Sequence, residues 1–342
     1  MHSNPKVTVA IPVYNVEAYV ARCIKSVINQ DYDNIEILIV YDISIDNSLQ
    51  VATEALKKGI FPYKIIEKSE KDKGPGKSRN LILDNFQGNY LFFLDSDDFL
   101  EPFTISLLVK EAIANDADIV AASHRSVDEA ENSINVFQYT DKIIFDNNSL
   151  RQYVYVENGY FSVYSWNKLY KSSFLIENNF RYIHDIAEDA VFSFLEIKKI
   201  NKIVLLPDIT LNYLIRSASI TNAIMYNDLS LNTARIYLSI RDYKYSSNEG
   251  SNELVAICSN VDAFFFGFTM IVRNSYKSKC ISSQEKLSLC RLAFITPSIP
   301  IKKILQLLNS KKATLILLLV VKLLPFRFNM LFVKLYHKIK SV

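Results

Sequence analysis

Cysteine and histidine are both scarce: the 342-residue chain has four of each. Cys23, Cys258, Cys280 and Cys290 include no close Cys-x-x-Cys pair, which excludes the common zinc-site spacings and a disulfide framework and predicts neutral thiols in a reducing compartment. The first residues lack the basic start and apolar run of a secretory signal, so the chain is expected to stay in the cytoplasm. There are no internal repeats or low-complexity tracts. The net charge of +3 is too small to imply a nucleic-acid partner. Acids are missing altogether from Ile301 to Val342, where nine residues are Lys or Arg. The rest of the chain is therefore mildly acidic, and the basic residues of the tail hide this in the sum.

What the chain has in quantity is apolar side chains, 49% of the total, enough for one large domain or two ordinary ones. Over the first 125 residues strand and helix patterns alternate. Val7–Val13 is rich in β-branched residues and predicts a buried strand. Asn15 is expected to cap a following helix, with Glu17 in its first turn, because Val16, Tyr19, Val20, Cys23, Ile24, Val27 and Ile28 recur at helical spacing. Strands are predicted at 35–40, 64–67, 90–95 and 118–122, and helices at 46–58, 77–86 and 104–115. Such alternation implies parallel strands with right-handed crossovers, an α/β fold in which ligands bind beyond the carboxyl ends of the strands. That rule points to Pro12–Asn15, Tyr41–Asp46 and Asp95–Asp98. Residues 126–146 read as polar and irregular, and the chain beyond about Ala223 as mainly helical.

The stretch Tyr90-Leu-Phe-Phe-Leu-Asp95-Ser-Asp97-Asp98 delivers three carboxylates at the end of an apolar strand. Residues two apart on an extended chain point the same way, so Asp95 and Asp97 are expected to face one ligand together. Close like charges stay ionised only beside a cation or a hydrogen-bond network. Hard oxygen ligands favour Mg²⁺ or Mn²⁺, which bridge to substrate phosphates; a solvated acidic turn is the alternative.

These stretches occur in one order: Val9-Ala-Ile-Pro-Val-Tyr-Asn15, Ile37-Leu-Ile-Val-Tyr-Asp42-Ile-Ser-Ile-Asp46-Asn-Ser48, Gly74-Pro-Gly-Lys-Ser-Arg79-Asn80, Leu94-Asp95-Ser-Asp97-Asp98, Trp166-Asn-Lys-Leu-Tyr-Lys171, Glu188-Asp189 and Tyr213-Leu-Ile-Arg216-Ser-Ala-Ser-Ile-Thr221. As an ordered set over about residues 5–223 they resemble the family 2 glycosyltransferases of the GT-A fold. The resemblance implies a Rossmann-like, mainly parallel mixed sheet flanked by helices. It implies a nucleotide-binding half over 1–125, an acceptor and catalytic half over 126–223, and a helical extension over 224–342. It also implies inverting transfer of a hexosyl or N-acetylhexosaminyl group from a nucleotide-sugar, usually a UDP-sugar, to a glycan or lipid-linked acceptor in cell-surface polysaccharide synthesis. By the same likeness Asp95 and Asp97 hold Mn²⁺ or Mg²⁺ and the donor diphosphate, and Asp42 pairs with the nucleobase. Arg79 touches the nucleotide, and Pro12, Tyr14 and Asn15 line the base pocket. Asp189 is the matching catalytic base, Glu188 orients the acceptor or its neighbour, and Arg216 contacts the diphosphate or makes a structural ion pair. Read from residues alone, Glu188 and Asp189 also suit a helix start.

The chain departs from the family pattern after the second strand, where two acids and a glycine are usual. Tyr41, Asp42 and Ile43 stand there, which implies an altered turn and a Tyr41 ring free to stack on the base. Two rival readings remain open at this point: a sugar nucleotidyltransferase, disfavoured because Val13-Tyr14-Asn15 is not a glycine-rich basic loop, and a non-catalytic nucleotide-sugar or glycan-binding module. In the tail, the longest charge-free stretch, Ala313–Val321, falls short of the ~20 apolar residues of a span. An interfacial attachment to anionic lipid on the inner face of the cytoplasmic membrane is expected, with helical packing or dimerisation as the alternative.

Overall fold

The computed structural model describes residues 4–216, 230–247, 253–274, 278–297, 299–306 and 312–329. Two compact units divide the chain, the first made of Met1–Asn148 and Ser162–Ser217, the second of Ser149–Phe161 and Ala218–Val342.

The first unit is built on a ten-stranded sheet. Strands β1 (Val7–Val13), β2 (Ile35–Tyr41), β3 (Tyr63–Glu67) and β4 (Tyr90–Phe93) run parallel in the order β3-β2-β1-β4. Helices α1 (Val20–Ile28), α2 (Ser48–Leu56) and α3 (Pro75–Asn85) make the crossovers. Val20, Cys23, Ile24 and Val27 of α1 are fully buried at i, i+3, i+4 and i+7 against the sheet. Each such burial contributes about 1.5–3 kcal/mol. Helix α4 runs over Thr104–Asn115, as its pattern predicts, and ends in Asp116 at φ +45. Aspartate tolerates that left-handed cap better than most residues.

Beyond β4 the sheet departs from simple alternation. Short β5 (Phe99–Leu100) leads to α4, and the next long strand, β6 (Ile119–Val127), does not join β4. Strand β9 (Lys168–Lys171) lies antiparallel between them, pairing Phe92 with Leu169 and Val120 with Leu169. Strand β10 (Lys202–Leu214) then runs parallel to β6, with register shifts on either side of Ile209 next to Pro207, where a residue without an N–H is tolerated. The polar segment expected to be irregular contains β7 (Ser133–Phe137) and β8 (Ile143–Asp146), which pair with β6 and β10. Single-turn α5 (Asn147–Arg151) and α6 (Ser172–Glu177) precede α7 (Asp189–Lys199). A buried ion pair fixes α7 to β9: Lys168 Nζ donates to Glu196 Oε2 at 2.6 Å and Tyr170 Oη to Glu196 Oε1 at 2.6 Å.

The second unit is helical: α8 (Leu231–Ser246), α9 (Glu253–Phe268), α10 (Ser283–Ala293), α11 (Ile301–Gln306) and α12 (Lys312–Leu323). Ser282 and Glu285 form a full capping box at the start of α10. Ile257, Val261 and Phe264 of α9 share a core with Ile304, Leu318 and Val321 of the tail. Lys322 is drawn inward, donating to the carbonyls of Pro297 and Ile299 at 3.0 and 2.8 Å. Leu254–Val272 is long and apolar enough to cross a membrane, yet half of it is buried within the protein, as a core helix would be. The motif residues 217–221 and the tail beyond Asn329 lie outside the described residues.

Candidate functional site

Three turns converge at the carboxyl ends of β1, β2 and β4. Asn15 does not cap a helix, because α1 begins only at Val20. It sits at φ +49 and uses its side chain across the turns, its Oδ1 accepting the Ile45 N–H at 3.0 Å while its own N–H donates to Ser44 Oγ at 3.0 Å. Glu17 likewise accepts the Asn47 N–H at 3.0 Å, and Asp46 accepts the Glu17 N–H at 3.0 Å. These bonds stitch the β1 and β2 turns together and replace the missing glycine, since Ile43 is not among the residues with positive φ. Tyr41 is not free to stack on a base: it is buried in the core and its hydroxyl accepts the Ser44 N–H at 3.1 Å. Pro12 is half-buried at the end of β1, and Tyr14 is 41% exposed beside it.

Asp42 is buried directly after β2. Its Oδ2 accepts from Lys68 Nζ at 2.9 Å and from the Gly74 N–H at 2.8 Å. Its Oδ1 is also buried and has no partner. A buried acceptor left unbonded costs about 1–3 kcal/mol, so this oxygen is held ready for a donor. Lys68, which the sequence reading missed, spends all three protons, the others going to Ser78 Oγ at 2.8 Å and the Gly74 carbonyl at 2.9 Å. Its position directly after β3 is the one signal that marks it.

Helix α3 links Asp42 to the carboxylates. It starts at Gly74, whose φ of +127 only glycine adopts easily. A Cβ on Gly74 would lie 2.4 Å from Asp185 Cγ, and one on Gly76 would lie 2.1 Å from the His184 carbonyl oxygen. Both glycines therefore let the 184–185 loop sit on the start of the helix, where Asp185 accepts the Lys77 N–H at 3.0 Å. Further along α3, buried Arg79 donates to Asp95 Oδ1 at 3.0 Å and to Glu188 Oε1 at 2.6 Å. The guanidinium expected on the nucleotide is thus engaged by two carboxylates.

The chain is not extended through the acid cluster. β4 ends at Phe93, and the Asp98 N–H donates back to the Asp95 carbonyl at 3.1 Å, so Asp95–Asp98 is a turn. Asp95 turns to Arg79, while Asp97 Oδ2 accepts from Arg216 Nε at 2.7 Å. Arg216 also lies 5.2 Å over the Tyr19 ring. Asp98 is fully buried; its Oδ1 accepts the Leu214 N–H at 2.9 Å and its Oδ2 has no partner. Burial pushes the Asp98 carboxyl well above the usual range, and Asp97 and Asp95 push the same way. Burial also raises Asp95, to about 6, with Arg79 opposing and Asp97 and Asp189 reinforcing.

Asp189 opens α7. Ala187 just before it takes φ +50, a strain of about 1–2 kcal/mol for a residue with a Cβ. Glu188 sits at the helix start and its carboxyl is raised to about 7 by burial, against the pull of Arg79 and with the push of Asp189. Ser165 Oγ donates to Asp189 Oδ1 at 2.5 Å, and Tyr182 Oη donates to Ser165 Oγ at 2.6 Å. Ser165 carries no sequence signal for this role beyond its place next to Trp166, and Tyr182 carries none.

Asp95 and Asp97 suit a hard divalent ion. Each has one oxygen bonded to an arginine and a second left over. Among the described residues, no group of three or more His, Cys, Asp or Glu could hold a metal. An ion there would draw its remaining ligands from phosphate oxygens and water, as Mg²⁺ commonly does.

A parallel half-sheet with a buried, donor-seeking acid at one strand end and a carboxylate cluster at another makes an α/β protein whose polar side chains gather at the carboxyl ends of its strands. Residues 8–175 match Glycosyl transferase family 2, and this part of the chain belongs to that family. It is 34% identical over 174 residues to Glycosyltransferase GlyA of Streptococcus pneumoniae serotype 4, covering 49% of this chain and 24% of GlyA. It is 26% identical over 207 residues to poly(ribitol-phosphate) beta-N-acetylglucosaminyltransferase TarS of Staphylococcus aureus, covering 59% of this chain and 34% of TarS. The chain thus spans a quarter to a third of the length of these relatives. The crystal structure of a TarS fragment with UDP-GlcNAc superposes with a TM-score of 0.68 at 17% identity, over 93% of this chain and 87% of that one. The mannosyltransferase PcManGT of Pyrobaculum calidifontis, solved with GDP-Man and Mn²⁺, gives 0.51 at 14% identity, over 93% and 88%.

Proposed function

We propose that this chain is an inverting glycosyltransferase that moves a sugar from a nucleoside-diphosphate donor, a UDP-sugar, to a glycan or lipid-linked acceptor in cell-surface polysaccharide synthesis. The observation that carries this reading is the double ion pair of Arg79, which joins Asp95 on the donor side to Glu188, the neighbour of Asp189, within one side chain's reach. TarS, a relative, has been solved with UDP-GlcNAc. Asp42 Oδ1 suits the imino N–H of uracil, which would satisfy its unmet bond.

The chemistry follows from the acids. Ser165 occupies Asp189 Oδ1, which leaves Oδ2 to take the proton of an acceptor hydroxyl as that oxygen attacks the anomeric carbon. The glycosidic bond forms on the face opposite the departing diphosphate, and the configuration inverts. A divalent ion on Asp95 and Asp97, Mn²⁺ or Mg²⁺, would neutralise charge on the leaving diphosphate. Arg216, poised on Asp97, is within the same cluster and suits the same diphosphate.

Calorimetric titration of UDP, GDP, CDP and UMP, with and without Mn²⁺, tests the donor site. The expected result is metal-dependent binding of UDP that Asp97→Ala abolishes. Absence of binding by every nucleotide with metal present would sink the proposal.

The same proposal places the protein peripherally on the inner face of the cytoplasmic membrane. Its support is the acid-free basic tail, together with exposed Ile316, Leu323 and Phe328. Because Leu318 and Val321 belong to the core, removing the tail would damage the fold, so charge reversal is the better probe. Lys302→Glu with Arg327→Glu should weaken binding to vesicles rich in phosphatidylglycerol; unchanged binding would remove the membrane from the picture.

A further inference from the structure

Three aromatic rings form a column beside Asp189. Trp166, 3% exposed, is stacked with Tyr164 at 4.9 Å and 10°, and with Tyr213 at 5.4 Å and 12°. Both tyrosine rings lie nearly parallel to the indole. Tyr213 is half-buried, and Tyr164, 39% exposed, is the more open of the two. Val163 next to it is 51% exposed. The column is tied to the chemistry through the chain itself: Ser165, between Tyr164 and Trp166, holds Asp189 by its 2.5 Å hydrogen bond. Asp189 also pushes the Tyr164 phenol upward, adding to the larger effect of burial, which places the ring within electrostatic reach of the base. Burial pushes the Tyr213 phenol up, and Asp98, Tyr164, Asp95 and Asp97 add to it.

A half-open apolar ring amid carboxylates exposes surface that water solvates poorly. A six-membered sugar ring offers what would cover it. One face of a pyranose is lined by C–H groups, and their weakly positive hydrogens suit the negative face of a phenol ring, while the hydroxyls at the rim remain free for polar contacts. A linear polyol phosphate has no such face, and its charge would meet Asp189 and Glu188.

We propose that the outer face of Tyr164 is an acceptor subsite for a pyranose ring, which it holds flat so that one ring hydroxyl meets Asp189. Trp166 and Tyr213 act as positioning residues that hold the platform rigid. The subsite rests on the transferase reading above and narrows it: the acceptor is a hexopyranosyl glycan end, in contrast to the poly(ribitol-phosphate) in the name of the relative TarS.

The test is saturation-transfer NMR on the full chain with UDP and Mn²⁺, using methyl hexopyranosides of gluco and galacto configuration, and ribitol 5-phosphate as the linear probe. Ring C–H protons of a pyranoside should receive saturation in the wild type. Tyr164→Ala should weaken that binding about tenfold, and Tyr164→Phe, which keeps the ring, should retain it. UDP binding should be equal in all three, which also reports that they are folded. With UDP bound normally, pyranoside binding that is absent, or indifferent to Tyr164→Ala, or weaker than that of ribitol 5-phosphate, would overturn the subsite and leave the transferase standing. Failure of the wild type to bind UDP at all would overturn both.

Discussion

The two ends of the site treat charge differently. Around Asp42 the account closes: one carboxylate meets one ammonium, Lys68 spends every proton, and a single oxygen remains open. Around Asp95 it does not close. Asp95, Asp97, Asp98, Glu188 and Asp189 crowd together, and Arg79 and Arg216 are the cations bonded to their side chains. The first end is finished in shape and suits a neutral, hydrogen-bonding base. The second is tense, with Asp95 and Glu188 pushed up to about 6 and about 7, and it suits an added cation. The finished shape and the electrostatic stress thus meet in the first half of one helix, α3, where Ser78 faces Lys68 and its neighbour Arg79 faces Asp95 and Glu188.

The strongest way to break this contrast is at the base. Asp189→Asn should lower the transfer rate about 10²–10⁴-fold, the usual contribution of general-base catalysis, while leaving UDP affinity unchanged in calorimetry. A variant that kept near-native turnover would remove Asp189 from the mechanism. Next, Lys68→Met at the balanced end should cost about 3–5 kcal/mol in urea unfolding, because it strands a buried carboxylate; a loss below about 1 kcal/mol would mean that Asp42 is solvated or protonated.

The mirror change at the tense end should have the opposite sign. Glu188 has a folded value near 7 against an ordinary 4.5, so the folded state binds its proton more tightly than the unfolded chain does. Stability then falls as pH rises between those two values. Glu188→Gln should therefore stabilise the metal-free protein at pH 8 by about 1 kcal/mol, with screening taken into account, and the gain should vanish towards pH 4.5. Thermal melts of both proteins across that range check the sign; a loss of stability at pH 8 would show that the Arg79 pair outweighs burial.

Much of this was legible in the residues. The run from β1 to α4 follows local pattern, because each helix carries its own apolar stripe and each strand its own β-branched core. The turns at Pro12–Asn15, Tyr41–Asp46 and Asp95–Asp98 follow from strand polarity alone. What stayed hidden depends on long-range pairing. Lys168–Lys171 is too short and too polar to announce a strand, yet pairing on both edges makes it the antiparallel link in the sheet. The solvent-facing alternation of Ser133–Phe137 is equally quiet. Asp95 and Asp97 read as same-face neighbours only if the chain stays extended, and the Asp98 hydrogen bond bends it. The Ser165 contact joins residues 24 apart in sequence, which no periodicity encodes.

The glycine turn carries a last consequence. The chain has only seven glycines, and two of them, Gly74 and Gly76, are where the 184–185 loop rests directly on bare backbone. The fit has no slack, so that loop is held directly against the start of α3. A methyl group at either position would act as a wedge, lifting the loop that leads into Glu188 and Asp189 away from the helix that carries Arg79. Inactivity in such a variant would then be a failure of alignment, with every chemical group still present.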